Sequence, residues 1–199
     1  MTNVNGAKKD PTAQYLGRIL VRPFARPLKL RVAALIKACR AFDRTGAPAI
    51  PYIAAWQAHD NIWYEFAGRR FLDLFGCPGG LLAETFRSQV VDQRVYKCID
   101  MDAAIEREVR TQEELQHVRS HLREEGIIKG EVDAVYKVDS PRSGIVWLKD
   151  QAVVEFFEAD RLCLSVGHLT IVTKEMRSEE ERLEKERLQV SLEMAGAVC

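Results

Sequence analysis

The side chains best suited to metal or nucleophilic chemistry in this chain are five cysteines and four histidines. Cys39, Cys77, Cys98, Cys163 and Cys199 are scattered: none forms a Cys-x-x-Cys pair, a c-type haem attachment motif or a Cys/His zinc spacing. His59, His117, His121 and His168 stand in no His-Glu-x-x-His context, and there is neither a G-x-G-x-x-G nor a P-loop to cradle phosphate. Cys77 precedes Pro78-Gly79-Gly80 in a tight-turn sequence, but no base lies near it in sequence to activate the thiol. These residues predict a chain with no catalysis of its own and no metal site. Scattered thiols fit a reducing compartment, no signal peptide is visible, and no apolar run approaches bilayer-spanning length. The expected location is therefore cytoplasmic, with no membrane crossing.

The elements that must position any site can be read from periodicity. Of 199 residues, 47% are hydrophobic and 29% charged, enough apolar material for a packed core. Residues 13–22 read as a short helix stopped by Pro23, and residues 28–43 as an amphipathic helix with Leu28, Val32, Leu35, Ile36, Cys39 and Phe42 at three/four spacing. Two short strands follow, 50–57 and 62–66, joined by a turn at His59-Asp60-Asn61. Arg69 to Phe75 predicts a short helix closed by Gly76, and 81–91 and 103–109 predict two more helices. Thr111 opens a capping box with Glu114, starting a helix that should run to about Glu125 with Gly126 as its cap.

The clearest β signal comes next. In residues 131–139, Val132, Ala134, Tyr136 and Val138 alternate strictly onto one face. Residues 145–157 and 162–173 make two further strands across short turns, completing an antiparallel meander. In the last strand Cys163, Ser165 and Gly167 put small residues on one face, and His168 interrupts the apolar pattern. Lys174 to about Ala197 predicts a highly charged helix. Met176, Leu183 and Val190 recur at seven-residue spacing with Met194 on the alternate seam, as in a parallel dimeric coiled coil.

Net charge is zero, but its distribution is uneven. Residues 1–44 hold ten basic side chains (Lys8, Lys9, Arg18, Arg22, Arg26, Lys29, Arg31, Lys37, Arg40 and Arg44) against Asp10 and Asp43, a net of +8 that leaves −8 for the rest. A basic arm of this kind suits an acidic partner, a lipid surface, nucleic acid or a contact with the acidic remainder of the chain.

The order strand, strand, short helices, longer helix, three-strand meander, charged exit helix resembles a PAS domain over residues 48–174. The resemblance is carried by IWYEFAGRRFLDLFGC in the first half and by GEVDAVYKVDSPRSGIVWLKDQAVVEFFEADRLCLSVGHLTIVTKE in the second. Many members read close to Asp-Ile-Thr where the last strand meets the exit helix; here that junction is Ile171-Val172-Thr173, without the aspartate. The final octet LEMAGAVC is similar to the approach to the phosphoacceptor helix of histidine kinases, where a His-Glu dipeptide follows; the sequence given contains no histidine in that context. The flavin-binding subclass of the family uses an Asn-Cys-Arg-Phe motif, which GCPGG at 76–80 does not match.

The resemblance implies an α+β fold: an antiparallel sheet with flanking helices, an N-terminal helical extension (1–47), a sensor domain (48–173) and a signalling helix (174–199). It implies a cavity between sheet and helices, with Trp56, Trp63, Tyr64, Phe71, Phe75, Tyr136, Trp147, Phe156, Cys163, Ser165 and His168 as candidate lining. Its ligand or cofactor is unknown. The implied partners are a second copy of the chain through Met176, Leu183, Val190 and Met194, and a response regulator reached through a kinase core. The implied function is regulation of a histidine kinase in a phosphorelay. The alternatives are a sensor feeding a cyclic-dinucleotide synthase or a transcription regulator, or a protein binding nucleic acid through its basic arm, with nucleic acid not the expected partner.

Overall fold

The computed structural model describes residues 17–57, 62–94, 96–99, 102–105 and 111–196. The elements in chain order are α1 (Arg26–Asp43), β1 (Ile50–Trp56), β2 (Ile62–Ala67), α2 (Arg69–Phe75), α3 (Leu82–Gln89), β3 (Val90–Arg94), β4 (Tyr96–Ile99), β5 (Asp102–Ile105), α4 (Gln112–Lys129), β6 (Glu131–Ser140), β7 (Gly144–Phe157), β8 (Leu162–Ile171) and α5 (Thr173–Gly196). Six strands form an antiparallel sheet in the order β2-β1-β8-β7-β6-β3, and β4 and β5 pair separately.

Alternation along the strands builds two layers. On the inner face, Tyr52, Ala54, Tyr64, Tyr136, Leu148 and Leu169 pack with Phe71, Phe75, Leu82, Leu115 and Leu122 of α2, α3 and α4. On the outer face, α1 lays Leu28, Val32, Ile36 and Cys39 against Ile53, Ala55, Trp63, Phe66, Leu162 and Leu164. Leu28 and Val32 are fully buried and Ile36 nearly so, each worth roughly 1.5–3 kcal/mol. Pro27 starts α1, where its missing N–H costs no helical hydrogen bond.

A bulge in β2 shapes the outer layer. The register runs Ile53↔Phe66 and then Ala54↔Tyr64, so Glu65 is the extra residue. Its carboxylate is fully buried and accepts from the Arg18 and Ile19 backbone N–H groups at 2.7 and 3.0 Å and from the Trp63 indole. This explains one departure from the helix expected over 13–22. The described part, 17–23, is a series of turns, because Glu65 takes the N–H groups of residues 18 and 19; residues 13–16 lie outside the described residues.

Besides shifts of one or two residues at element ends, three other regions differ. The helix expected over 81–91 ends at Gln89, and Val90 begins a strand pairing with Val138, since the open edge of β6 satisfies its backbone. Residues 102–105 are a strand paired with 96–99, where a helix was expected to begin at 103; residues 106–109 lie outside the described residues. The capping box of Thr111 and Glu114 is formed, but α4 runs through Gly126 to Lys129 and closes on Gly130 at φ 76°. Gly126 serves packing: a Cβ there would meet Val132 Cγ2 at 2.9 Å, so its absence lets α4 lie close on the sheet.

In an exposed helix, Gly→Ala stabilises by about 1 kcal/mol. At this contact the sign reverses: Gly126→Ala lowers stability in urea denaturation, and Val132→Ala in the same chain restores part of the loss. A plain gain in stability for Gly126→Ala would show that the close approach carries no energy.

Candidate functional site

The inner face holds a cavity of about 130 Å³ between β1, β2, β3, β6, β7, β8, α3 and α4. Most of its wall is apolar, from Ala54, Ile62, Val90, Leu122, Val132 and Leu169. Its polar part is a buried cluster. The Tyr52 hydroxyl donates to Asp150 Oδ1 at 2.6 Å, the Tyr136 hydroxyl also hydrogen-bonds Asp150, and Ser165 hydrogen-bonds the Tyr52 phenol. Arg87 and Arg123 contribute to the wall from α3 and α4. Trp56 lines one side, and its buried indole N–H has no hydrogen-bond partner among the described residues.

Backbone geometry positions these groups. Tyr52, Asp150 and Ser165 sit at inward positions on three neighbouring strands, β1, β7 and β8. Gly167 makes room for the phenol: a Cβ there would stand 2.9 Å from Tyr52 Oη and 2.6 Å from Ala152 Cβ. Edge-to-face contacts run from Tyr52 to Tyr64 (5.9 Å), Phe71 (5.2 Å), Phe86 (5.6 Å) and Tyr136 (5.3 Å), and both ends of this aromatic chain meet at Asp150.

Burial pushes the Asp150 carboxyl up from 3.8 to about 7, against the opposing pull of the Tyr52 and Tyr136 hydrogen bonds. Burial, with Asp150 alongside, also raises the Tyr52 phenol well above its ordinary value. Near neutrality the carboxyl is poised between an acceptor and an acid that can itself donate. The site can thus orient a small molecule by a donor to Asp150 and an acceptor for the Trp56 N–H.

The structure brings Trp56, Tyr64, Tyr136 and Ser165 of the sequence-derived set to the cavity wall. Phe71 and Phe75 pack behind it in the aromatic core, and Cys163 packs on Trp56 and Val154 beside it. Phe156 is 55% exposed. Trp63, Trp147 and His168 lie on the outer face: Trp63 bonds Glu65, Trp147 packs with Val135 and Met176, and His168 pairs across to Pro51 and Gln151. Asp150 and Tyr52 were missed. Asp150 had a signal, an acid breaking the inward alternation Val146, Leu148, Asp150, Ala152, Val154. Arg87 and Arg123 had none, because nothing local says which helix faces meet a sheet.

The exit helix is anchored on the opposite face of the same strands. The Trp147 N–H donates to Thr173 Oγ1 at 2.9 Å, and the Trp147 carbonyl accepts from the Val172 N–H at 2.9 Å. Met176 is 2% exposed beneath Trp147 and Val135. Lys137 spans β6 to α5, with its ammonium 5.0 Å from the Trp147 ring centroid and 3.2 Å from Glu180 Oε1. These contacts hold the helix at the Ile171-Val172-Thr173 junction. Met176, the first residue of the seven-residue repeat, is thus committed within the chain. Leu183 is 36% exposed, and the Val190 and Met194 side chains lie outside the described residues.

No family model matches the sequence, and no curated protein matches it. Among solved structures 22 chains match. One is an RNA-binding light-oxygen-voltage receptor, superposed with a TM-score of 0.50 at 14% identity over 80% of this chain. The match spans 39% of that receptor's chain. The fold is PAS-like. At this identity the likeness establishes the α+β architecture and leaves the chemistry to the residues present. Among the described residues no cysteine lines the cavity, whose volume of about 130 Å³ is close to the roughly 150 Å³ of an engineered cavity that holds a single benzene ring.

Between pH 3.8 and about 7 the folded chain keeps a proton on Asp150 that the unfolded chain has released, so raising the pH through this window destabilises the fold. Asp150→Asn, neutral at every pH, removes this loss. Its melting temperature relative to the unsubstituted chain rises from pH 5 to pH 8; a difference independent of pH would rule out the buried acid.

Proposed function

We propose that this chain is a sensory module whose PAS-like cavity takes a small ligand and whose exit helix carries the response to a histidine kinase core through a dimeric coiled coil. One observation carries the reading. Tyr136 and Lys137 are neighbours on β6, and a pleated strand sends them to opposite faces. Tyr136 bonds Asp150 in the cavity, while Lys137 holds Glu180 of α5. β7 repeats the arrangement, with Trp147 clamping the β8–α5 junction and Asp150, three residues on, facing the cavity. A ligand that breaks or protonates the Tyr136–Asp150 contact changes the seat of α5 without any long relay.

The output assignment rests on the charged seven-residue pattern of α5 and the LEMAGAVC octet. A short helical pair is a two-state element whose register a ligand can bias. The same geometry would serve a sensor coupled to a cyclic-dinucleotide synthase or a transcription regulator. The light-oxygen-voltage receptor that shares the fold is an RNA-binding one, which makes an RNA output a further alternative.

Two measurements test the proposal. Native mass spectrometry of the purified chain should find a bound small molecule that Ser165→Phe, which fills the cavity, excludes; a cavity empty under all ligand screens would remove the sensory half. In the parent protein, deleting one residue between Ser178 and Glu180 shifts the seven-residue phase by about a quarter turn. The expected result is kinase activity that no longer responds to the stimulus, and unchanged regulation would remove the coiled-coil half.

A further inference from the structure

The sensory reading leaves the outward side of α1 unused. From residue 11 to residue 42 the chain contains no acidic residue. The buried side of α1 is spent on the sheet, yet its outward side is again amphipathic. Leu30, Ala34, Ala38 and Ala41 are exposed along one strip, with Leu30 at 61%. Arg26, Lys37, Arg40 and Arg44 are exposed beside them. Between this helix and the turn at 18–23 runs an open groove of about 590 Å³. Leu20, Ala33, Ile36 and Ala41 form its apolar part, and Lys37, Arg40 and Arg44 supply the charge.

None of Lys37, Arg40 and Arg44 is paired with an acid among the described residues. Asp43, the acid beside them in sequence, accepts from the Arg69 backbone N–H at 3.1 Å, at the start of α2. Arg31 of α1 is ion-paired with Glu155 of β7. Val21, next to the groove residue Leu20, is 77% exposed.

We infer that this face of α1 and the adjoining turn form a peripheral docking surface for an anionic lipid bilayer. Cations of one sign beside exposed leucine and valine match the chemistry of such an interface: basic side chains meet headgroups while apolar ones enter the acyl boundary. Nucleic acid would use the cations but leave Leu20, Val21 and Leu30 with no favourable contact. A two-fold pairing of this face with itself would bring the two sets of like charges together. No helix among the described residues is long and apolar enough to cross a membrane.

The test is co-sedimentation of the full 199-residue chain with vesicles of phosphatidylcholine alone or mixed with phosphatidylserine. Binding is expected only to the mixed vesicles and weakens as salt is raised. Lys37→Gln, Arg40→Gln and Arg44→Gln together lower the affinity on the order of 100-fold, at about fivefold per cation. Leu30→Asn lowers it about tenfold with the charge unchanged, the worth of one leucine taken out of water. All four positions are exposed, and circular dichroism with an unchanged melting temperature confirms that each variant is folded. Equal binding to both vesicle types, binding to neither, or tight binding of an RNA or DNA oligonucleotide that Leu30→Asn does not weaken would overturn the inference. So would a triple variant whose only effect is to dissociate a dimer.

Discussion

The arrangement depends on the two-faced character of β6 and β7. Their pleat allots consecutive residues to opposite sides of the sheet, so one pair of strands forms both the floor of the cavity and the seat of the exit helix. Tyr136 and Asp150 face the helices α3 and α4; Lys137 and Trp147 face α5. The cavity and the seat of the helix therefore share the backbone of these two strands.

The buried acid gives the inner site its character. An ionised carboxylate in a mostly apolar cavity would be costly, and two phenols hydrogen-bonded to Asp150 reduce that cost without removing it. The result is a carboxyl that keeps its proton to higher pH than an exposed one. The outer site is made of weaker contacts. The Lys137–Glu180 pair is partly exposed and worth little alone. The burial of Met176 and the two backbone hydrogen bonds to Trp147 do most of the holding. Among the described residues, the buried Met176, the hydrogen bonds of Val172 and Thr173 to Trp147 and the Lys137–Glu180 pair help to hold the start of α5 on the sheet.

Parts of this were legible in the sequence. The meander was, because Val132, Ala134, Tyr136 and Val138 alternate with an outer row that is charged except at Val135. The capping box at Thr111 was, because a hydroxyl and a carboxylate three residues apart satisfy each other's backbone without outside help. Trp56, Tyr64, Tyr136 and Ser165 reach the cavity because they belong to strands whose inward face follows from that alternation. Trp63 and Trp147 fall on the far side by the same rule: a large aromatic is apolar enough for either layer, and its size does not say which helix will cover it. The bulge at Glu65 adds to this, since one extra residue changes the parity of a strand.

Local pattern by itself determined the strands β6 to β8, the helix α1, the start of α4 and the charged exit helix, because periodicity and caps act within a few residues. Tertiary structure alone decided three things. It made β3 a strand, because the edge of β6 offered backbone partners that Val90 and its neighbours could satisfy there. It made Gly126 a packing residue rather than a helix end, because Val132 comes within reach only when α4 lies on the sheet. And it joined Tyr52 to Asp150 across 98 residues of chain, since only the pairing of β1 with β8 and β8 with β7 brings a phenol and a carboxyl together in a place that water leaves.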